Sequence, residues 1–247
     1  MSLLEEPLSK REEAWIREFA LNNSLDPGSL LEQRKKGVPL AYILGTQPFH
    51  EIELKVSPAV LVPRPETEEL VERLLAVLPP SGSGLDLGCG SGALCLALAH
   101  ALPGWTFDAT DISGEALAVA KENAAALGLG ERVSFYQGDW WGAPPSGGLY
   151  DLVVTNPPYV GTGEEIDLGA SHEPALALFA GPDGLDAYRA ILPGAKASLK
   201  KGGIFAGECG PYHSGALLKL AEEAGFAGAR VLEDRSGRPR FLWFENL

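Results

Sequence analysis

The sequence predicts an α/β protein: a mostly parallel sheet of seven strands covered by helices on both faces, preceded by a short helical segment and a β-hairpin. Three observations carry that expectation. From Leu85 onward, short apolar runs alternate with stretches of helical spacing, the β-α-β order of a parallel sheet. The first run, Leu85-Asp86-Leu87, passes directly into Gly88-Cys89-Gly90-Ser91-Gly92 and an apolar helix. A later run, Val153-Val154-Thr155, stops at Asn156-Pro157-Pro158-Tyr159, because two prolines cannot donate to a sheet ladder.

Before the sheet, Ser9-Lys10-Arg11-Glu12 is a capping-box pattern, followed by Trp15, Ile16, Phe19 and Ala20 on one helical face. Asp26-Pro27 opens a second helix that Gly37 ends. These residues are too few to hold a core and must pack on the main body or on a partner. From Phe49 to Val56, apolar Ile52, Leu54 and Val56 alternate with Glu51, Glu53 and Lys55. That is a half-exposed strand, and with Val60-Leu61-Val62 it reads as a hairpin across Ser57-Pro58. Leu70, Val71, Leu74 and Leu75 then follow helical spacing, with Thr67 or the residues before it as the cap. The expected division is residues 1–48 as an N-terminal helical domain, 49–64 as a hairpin linker and 65–247 as the sheet domain.

Within the sheet domain, strands are expected at 85–87, 105–110, 133–137, 152–155, 204–207, 229–234 and 240–245. Helices are expected to about Ala101, from Ser113 to Leu127 with Gly128 as the stop, near 185–199 and over 214–224.

Composition narrows the function. At 247 residues and 45% hydrophobic content the chain can bury a large core. The net charge of -13 opposes a bare polyanion, so no stable nucleic-acid binding is expected. No apolar run approaches a membrane span and the opening residues carry acid where a signal peptide carries base, so a cytoplasmic protein without membrane attachment is expected. Three cysteines without a C-x-x-C pair, and four scattered histidines, predict neither a disulfide framework nor a metal site.

In an open α/β sheet, ligands bind at the carboxyl ends of the strands. The glycine loop Gly88 to Gly92 lets backbone N–H groups approach a ligand closely, and Asp111, at the next strand end, is placed to accept two ribose hydroxyls. The bland reading is a tight turn with Asp111 capping the Ser113 helix. Gly138-Asp139-Trp140 ends the third strand; Asp139 is placed to accept from an adenine amino group and Trp140 to wall the ring. Asn156 to Tyr159 reaches the same crevice, or else is a Pro-rich turn with Tyr159 packed. Arg64, between two prolines, reads equally as a rim residue and as a surface charge.

These residues resemble a known family. Leu85 to Gly92 with Asp111 and the Asn156-Pro157-Pro158-Tyr159 tetrad looks like an S-adenosylmethionine-dependent methyltransferase of planar nitrogen. Pro39 to Gly45, Val62 to Glu68, Glu173 to Leu176 and Gly184 to Asp186 narrow the resemblance to the HemK-like release factor glutamine methyltransferases. It implies a Rossmann-like class I methyltransferase fold and S-adenosylmethionine as cofactor, with S-adenosylhomocysteine as product. The implied partner is a class I peptide chain release factor, methylated on the side-chain amide of its Gly-Gly-Gln glutamine. Cofactor positions carry over onto Gly88, Cys89, Gly90, Ser91, Gly92, Asp111, Trp140 and Asn156, beside Asp139. Substrate positions fall on Asn156, Pro157, Pro158 and Tyr159, with Arg64 at the rim. The catalytic expectation is that Asn156 Oδ1 and the Pro157 carbonyl accept the two amide N–H groups while Tyr159 lies against the flat amide. Three departures stand out: a short region before Pro39, Glu51 where glycine is usual, and His213 where glutamine is expected.

The same geometry suits the exocyclic amine of a flipped adenine in DNA or RNA. A glutamine in a ribosomal protein, or a non-catalytic binder built on the cofactor fold, completes the set of alternatives.

Overall fold

The computed structural model describes residues 8–144, 148–226 and 228–246. The opening residues on which the absence of a signal peptide was read lie outside these. Helices α1 (Lys10–Asn22), α2 (Pro27–Lys35) and α3 (Leu40–Leu44) form the N-terminal unit. The expected capping box is present: Glu12 N donates to Ser9 Oγ, and Ser9 N donates to Glu12 Oε2. Asp26 caps α2 by accepting from Gly28 N and Ser29 N. Ile16, Leu31 and Ile43, one from each helix, bury together as a small core. Gly45, at φ +76°, ends α3 in a conformation that costs a side-chain-bearing residue strain.

The hairpin differs from its expected register. Strand β1 (Thr46–Phe49) pairs antiparallel with β2 (Ile52–Lys55), closing Phe49 on Ile52 across His50-Glu51. Val60 and Val62 form no strand. They are buried with Val56 against Ala116 and Val119, so apolar packing on the body of the protein takes these side chains instead of a ladder. Asn123 anchors the hairpin by accepting from Lys55 N (2.7 Å) and donating to Lys55 O, and its amide also donates to Ser91 O.

Helix α4 (Pro65–Leu75) starts earlier than a Thr67 cap allows. Pro65, with φ already helical, occupies the first turn and Arg64 the cap position, so Thr67 falls inside the helix and is buried.

The main sheet then follows with β3 (Ser81–Leu87), β4 (Gly104–Asp111), β5 (Val133–Gln137), β6 (Tyr150–Thr155), β7 (Leu199–Glu208), β8 (Arg230–Glu233) and β9 (Pro239–Glu245). The strand order is β5-β4-β3-β6-β7-β9-β8, with β9 antiparallel to both β7 and β8 and the rest parallel. This is the expected seven-stranded, mostly parallel sheet. Strand side chains alternate between two cores. Leu152 and Val154 bury on the face covered by α4, α5 (Ala93–Ala101) and α6 (Gly114–Ala126). Val153 buries on the face covered by α7 (Asp186–Ser198) and α8 (Ser214–Glu223). Successive strands are added in one direction from β3 to β5 and in the other from β6, so the strand order switches between the parallel neighbours β3 and β6, and ligand crevices open at such a switch point. No helix among the described residues is long and apolar enough to cross a membrane.

Candidate active site

Four consecutive strand ends converge on one cavity of about 480 Å³, a size typical of small-molecule sites. After β3 come Gly88, Cys89, Gly90 and Ser91; β4 ends in Asp111; after β5 come Asp139 and Trp140, and after β6 Asn156 and Pro158. All of these line the cavity. Gly92, the cap residue of α5, and the buried Pro157 do not line it. The loop conformation requires its glycines, with φ at +72° for Gly88, +54° for Gly90 and +83° for Gly92. Gly88 N and Cys89 N donate to Thr110 O, which holds the loop over β4.

Asp111 does not cap α6, a role Ser113 takes by accepting from Ala116 N; it braces the turn before that helix and faces the cavity. Its Oδ2 accepts from Gly90 N and its Oδ1 from Ser113 N, both at 2.9 Å. Each carboxylate oxygen keeps a further lone pair. Burial pushes its carboxyl above the usual range, opposed by these backbone hydrogen bonds. Trp140, at φ +37°, turns its ring over Gly88, where an added Cβ would lie 3.3 Å from it.

The wall is acidic. Asp86, Asp111, Glu115, Asp139 and Asp186 line the cavity, and no basic side chain does so among the described residues. Asp86 is only 1% exposed; its Oδ2 accepts from Cys95 N, and its Oδ1 has no partner among the described residues. Burial pushes its carboxyl up to about 7. A carboxyl with a raised folded pKa contributes stability below its unfolded pKa, and that stability is lost as pH rises through the folded value. For ligand-free protein, Asp86→Asn removes this loss. The melting temperature of the variant relative to wild type should therefore climb between about pH 4 and the folded value of about 7. A difference that stays flat across this window rules the coupling out.

Sequence reasoning missed the pair that braces the tetrad: Thr67, which lines the cavity, and Glu208, which is buried and does not. Thr67 Oγ1 donates to Glu208 Oε2 at 2.6 Å, and Tyr159 Oη donates to Glu208 Oε1 at 3.0 Å. Asn156 Nδ2 in turn donates to Thr67 Oγ1 at 3.1 Å. Tyr159 is therefore held from behind by its hydroxyl and does not line the cavity. Burial pushes both the Tyr159 hydroxyl and the Glu208 carboxyl upward. The available signals were an acid closing the apolar run Ile204-Phe205-Ala206-Gly207, and another acid between core residues Leu85 and Leu87.

Arg64 does not line the cavity; it pairs with buried Glu173, which also accepts from Val62 N. This joins two of the quoted motif segments. Burial raises the Glu173 carboxyl, and Arg64 opposes the shift. A third segment acts by close approach: a Cβ on Gly184, φ +71°, would strike the Tyr159 carbonyl and meet the His213 ring. Only glycine fits there without displacing the tetrad. The described residues contain no group of His, Cys, Asp or Glu side chains arranged to hold a metal ion.

The chain is similar to known proteins in sequence and in fold. The model of the methyltransferase small domain fits residues 66–173. The release factor glutamine methyltransferase of Moorella thermoacetica is 47% identical over 85% of this chain and 76% of its own length. That of Caulobacter vibrioides is 42% identical over 92% of the chain and 80% of its own. Among solved structures, a 16S rRNA methyltransferase of T. thermophilus, in complex with AdoMet and guanosine, superposes with a TM-score of 0.62. At 23% identity over 82% of this chain and 50% of that one, it shows a shared fold.

Proposed function

The chain belongs to the release factor glutamine methyltransferase family, and on that premise we propose that it methylates the side-chain amide nitrogen of the Gly-Gly-Gln glutamine in a class I peptide chain release factor, with S-adenosylmethionine as donor. The cavity suits that cofactor. Its acidic wall favours a ligand carrying sulfonium and ammonium charges, and the unpartnered Asp86 Oδ1 is a buried acceptor for such a cation. Gly88, Cys89, Gly90 and Ser91 would hold it by backbone approach, with Gly92 setting the turn. Asp111 would accept from ribose hydroxyls, while Asp139 and Trp140 would flank the adenine.

When bound, S-adenosylmethionine would supply an electrophilic methyl to the amide nitrogen and leave as S-adenosylhomocysteine, with one amide proton passing to solvent. The protein's part is orientation. An amide nitrogen is a weak nucleophile because its lone pair is delocalised, so both of its N–H groups must be gripped. The observation that carries this reading is the commitment of Asn156 Nδ2 to Thr67. It leaves Oδ1 as the end of the side chain that accepts from a substrate N–H, and the Pro157 carbonyl is assigned the second. Both acceptors stabilise the positive charge that grows on nitrogen.

Residues before Pro39 and the hairpin, which the sheet does not require, are assigned to docking the release factor, with Arg64 at the rim. With this goes the proposed division into residues 1–48, 49–64 and 65–247, drawn from the helical, hairpin and sheet patterning of the sequence. A translation substrate places the reaction in the cytoplasm, and the acidic wall gives no support to stable nucleic-acid binding. Incubation with labelled cofactor and release factor, followed by mass spectrometry, should find one added methyl on the Gly-Gly-Gln glutamine. Methylated adenine in DNA or RNA, or a methylated ribosomal-protein glutamine, with the release factor untouched, would overturn the assignment.

A further inference from the structure

We propose that Glu208 is the positioning residue of the site: gripping Thr67 and Tyr159 together, it dictates which end of the Asn156 amide faces the substrate. This rests on reading the site as one for amide methylation. Glu208 closes β7, is 1% exposed and does not line the cavity, so it acts through its neighbours. Burial opposes ionisation of Glu208, the hydroxyls of Thr67 and Tyr159 and the charge of Arg240 favour it, and the ionised carboxylate only accepts. Thr67 has a single hydroxyl proton, and at 2.6 Å that proton is spent on Glu208 Oε2. Toward Asn156 the threonine therefore presents only lone pairs, and the nitrogen end of the amide must turn to it. The oxygen end is left for the cavity.

An unassisted asparagine has no such preference, since its amide ends are nearly isosteric and a flip exchanges donor for acceptor. The direction of the chain from Asn156 through Thr67 to Glu208 removes that freedom. The other carboxylate oxygen accepts from Tyr159, so both ends of the tetrad are tied to one buried group. Glu208 is itself fixed, because Tyr188 Oη donates to its backbone carbonyl at 2.6 Å. Three separate elements, α4, β7 and the loop after β6, thereby share one polar junction.

The test uses full-length protein, whole release factor and labelled S-adenosylmethionine. Glu208→Gln keeps the shape but brings an NH2 donor to the junction. Facing Thr67, that donor makes the threonine accept and turns its proton toward Asn156, favouring the flipped amide; facing Tyr159, it leaves that hydroxyl without its acceptor. Turnover should fall about 10–100-fold, the cost of a misplaced reacting group. The KM for release factor and the cofactor Kd should change by less than about threefold, well under one tenfold step of binding free energy. Thr67→Val should show the same split between kcat and KM, and Thr67→Ser, which keeps the hydroxyl, should return most of what valine loses. The Glu208→Gln, Thr67→Val double variant should be no slower than the worse single one, because both break one chain. Near-normal turnover in Glu208→Gln, equal losses in kcat and cofactor binding, or a Thr67→Ser as slow as Thr67→Val would each overturn the positioning role. If Glu208→Gln does not fold, the two threonine variants carry the test alone. A wild-type protein that leaves the glutamine unmodified sinks this inference and the functional reading together; a wild type that methylates it beside unaffected variants sinks the inference alone.

Discussion

Asn156→Ala should lower methyl transfer to the release factor by roughly 10²–10³-fold, the range observed when one oriented hydrogen-bonding group is removed from an active site. The fold should survive, because Asn156 lies beyond the end of β6 and is only partly buried. Cofactor affinity should move little, since the residue contributes one contact among many in the cavity wall. Asn156→Asp should be nearly as slow, although it keeps an acceptor in the same place. Thr67 has already given its proton to Glu208, so a carboxylate at 156 would set an oxygen against the lone pairs of Thr67. Single-turnover rates at saturating cofactor measure the effect. Either variant at near-normal rate would show that the Asn156 amide does not orient the nucleophile.

The parts of this site set by backbone chemistry were legible in the sequence; those set by distant packing were not. The glycines at 88, 90 and 92 adopt left-handed φ where a strand must turn immediately into a helix, and Gly128 does so where α6 ends. Two prolines stop β6 whatever surrounds them. Such residues carry their conformational preference with them. The alternation of Leu152, Val153 and Val154 between two cores likewise follows from the strand period alone. The hairpin register was misplaced because the alternation from Phe49 to Val56 fits two partners. What settles the pairing is the burial of Val60 and Val62 on α6, which lies some fifty residues later in sequence. The sequence left the cap open between Thr67 and the residues before it, since threonine favours that position, and Pro65 decides it by starting the helix after Arg64. Glu208 stayed hidden for the same reason as the valines: its partners Thr67 and Tyr159 are separated from it by 141 and 49 residues. An acid at the end of a strand announces neither burial nor a pair of hydroxyl donors.

Asp111→Ala should weaken S-adenosylmethionine binding by roughly 10–100-fold, as loss of a charged hydrogen-bond acceptor costs about 1.5–3 kcal/mol. Two roles are combined in this residue, and two measurements separate them. By accepting from Gly90 N and Ser113 N it fixes the glycine loop and the start of α6. By lining the cavity it is placed to accept from the ribose as well. Were its contribution confined to the turn, the variant would lose thermal stability without ligand while calorimetry found an almost unchanged Kd. The expected result is loss in both, with the larger effect in Kd. Asp111→Asn should fall between alanine and wild type: its Oδ1 can take one backbone N–H, but its NH2 then faces the other donor, and the negative charge is gone. Calorimetric affinity unchanged in both variants would remove Asp111 from the cofactor site and leave it only the bracing of the glycine loop and of the turn before α6.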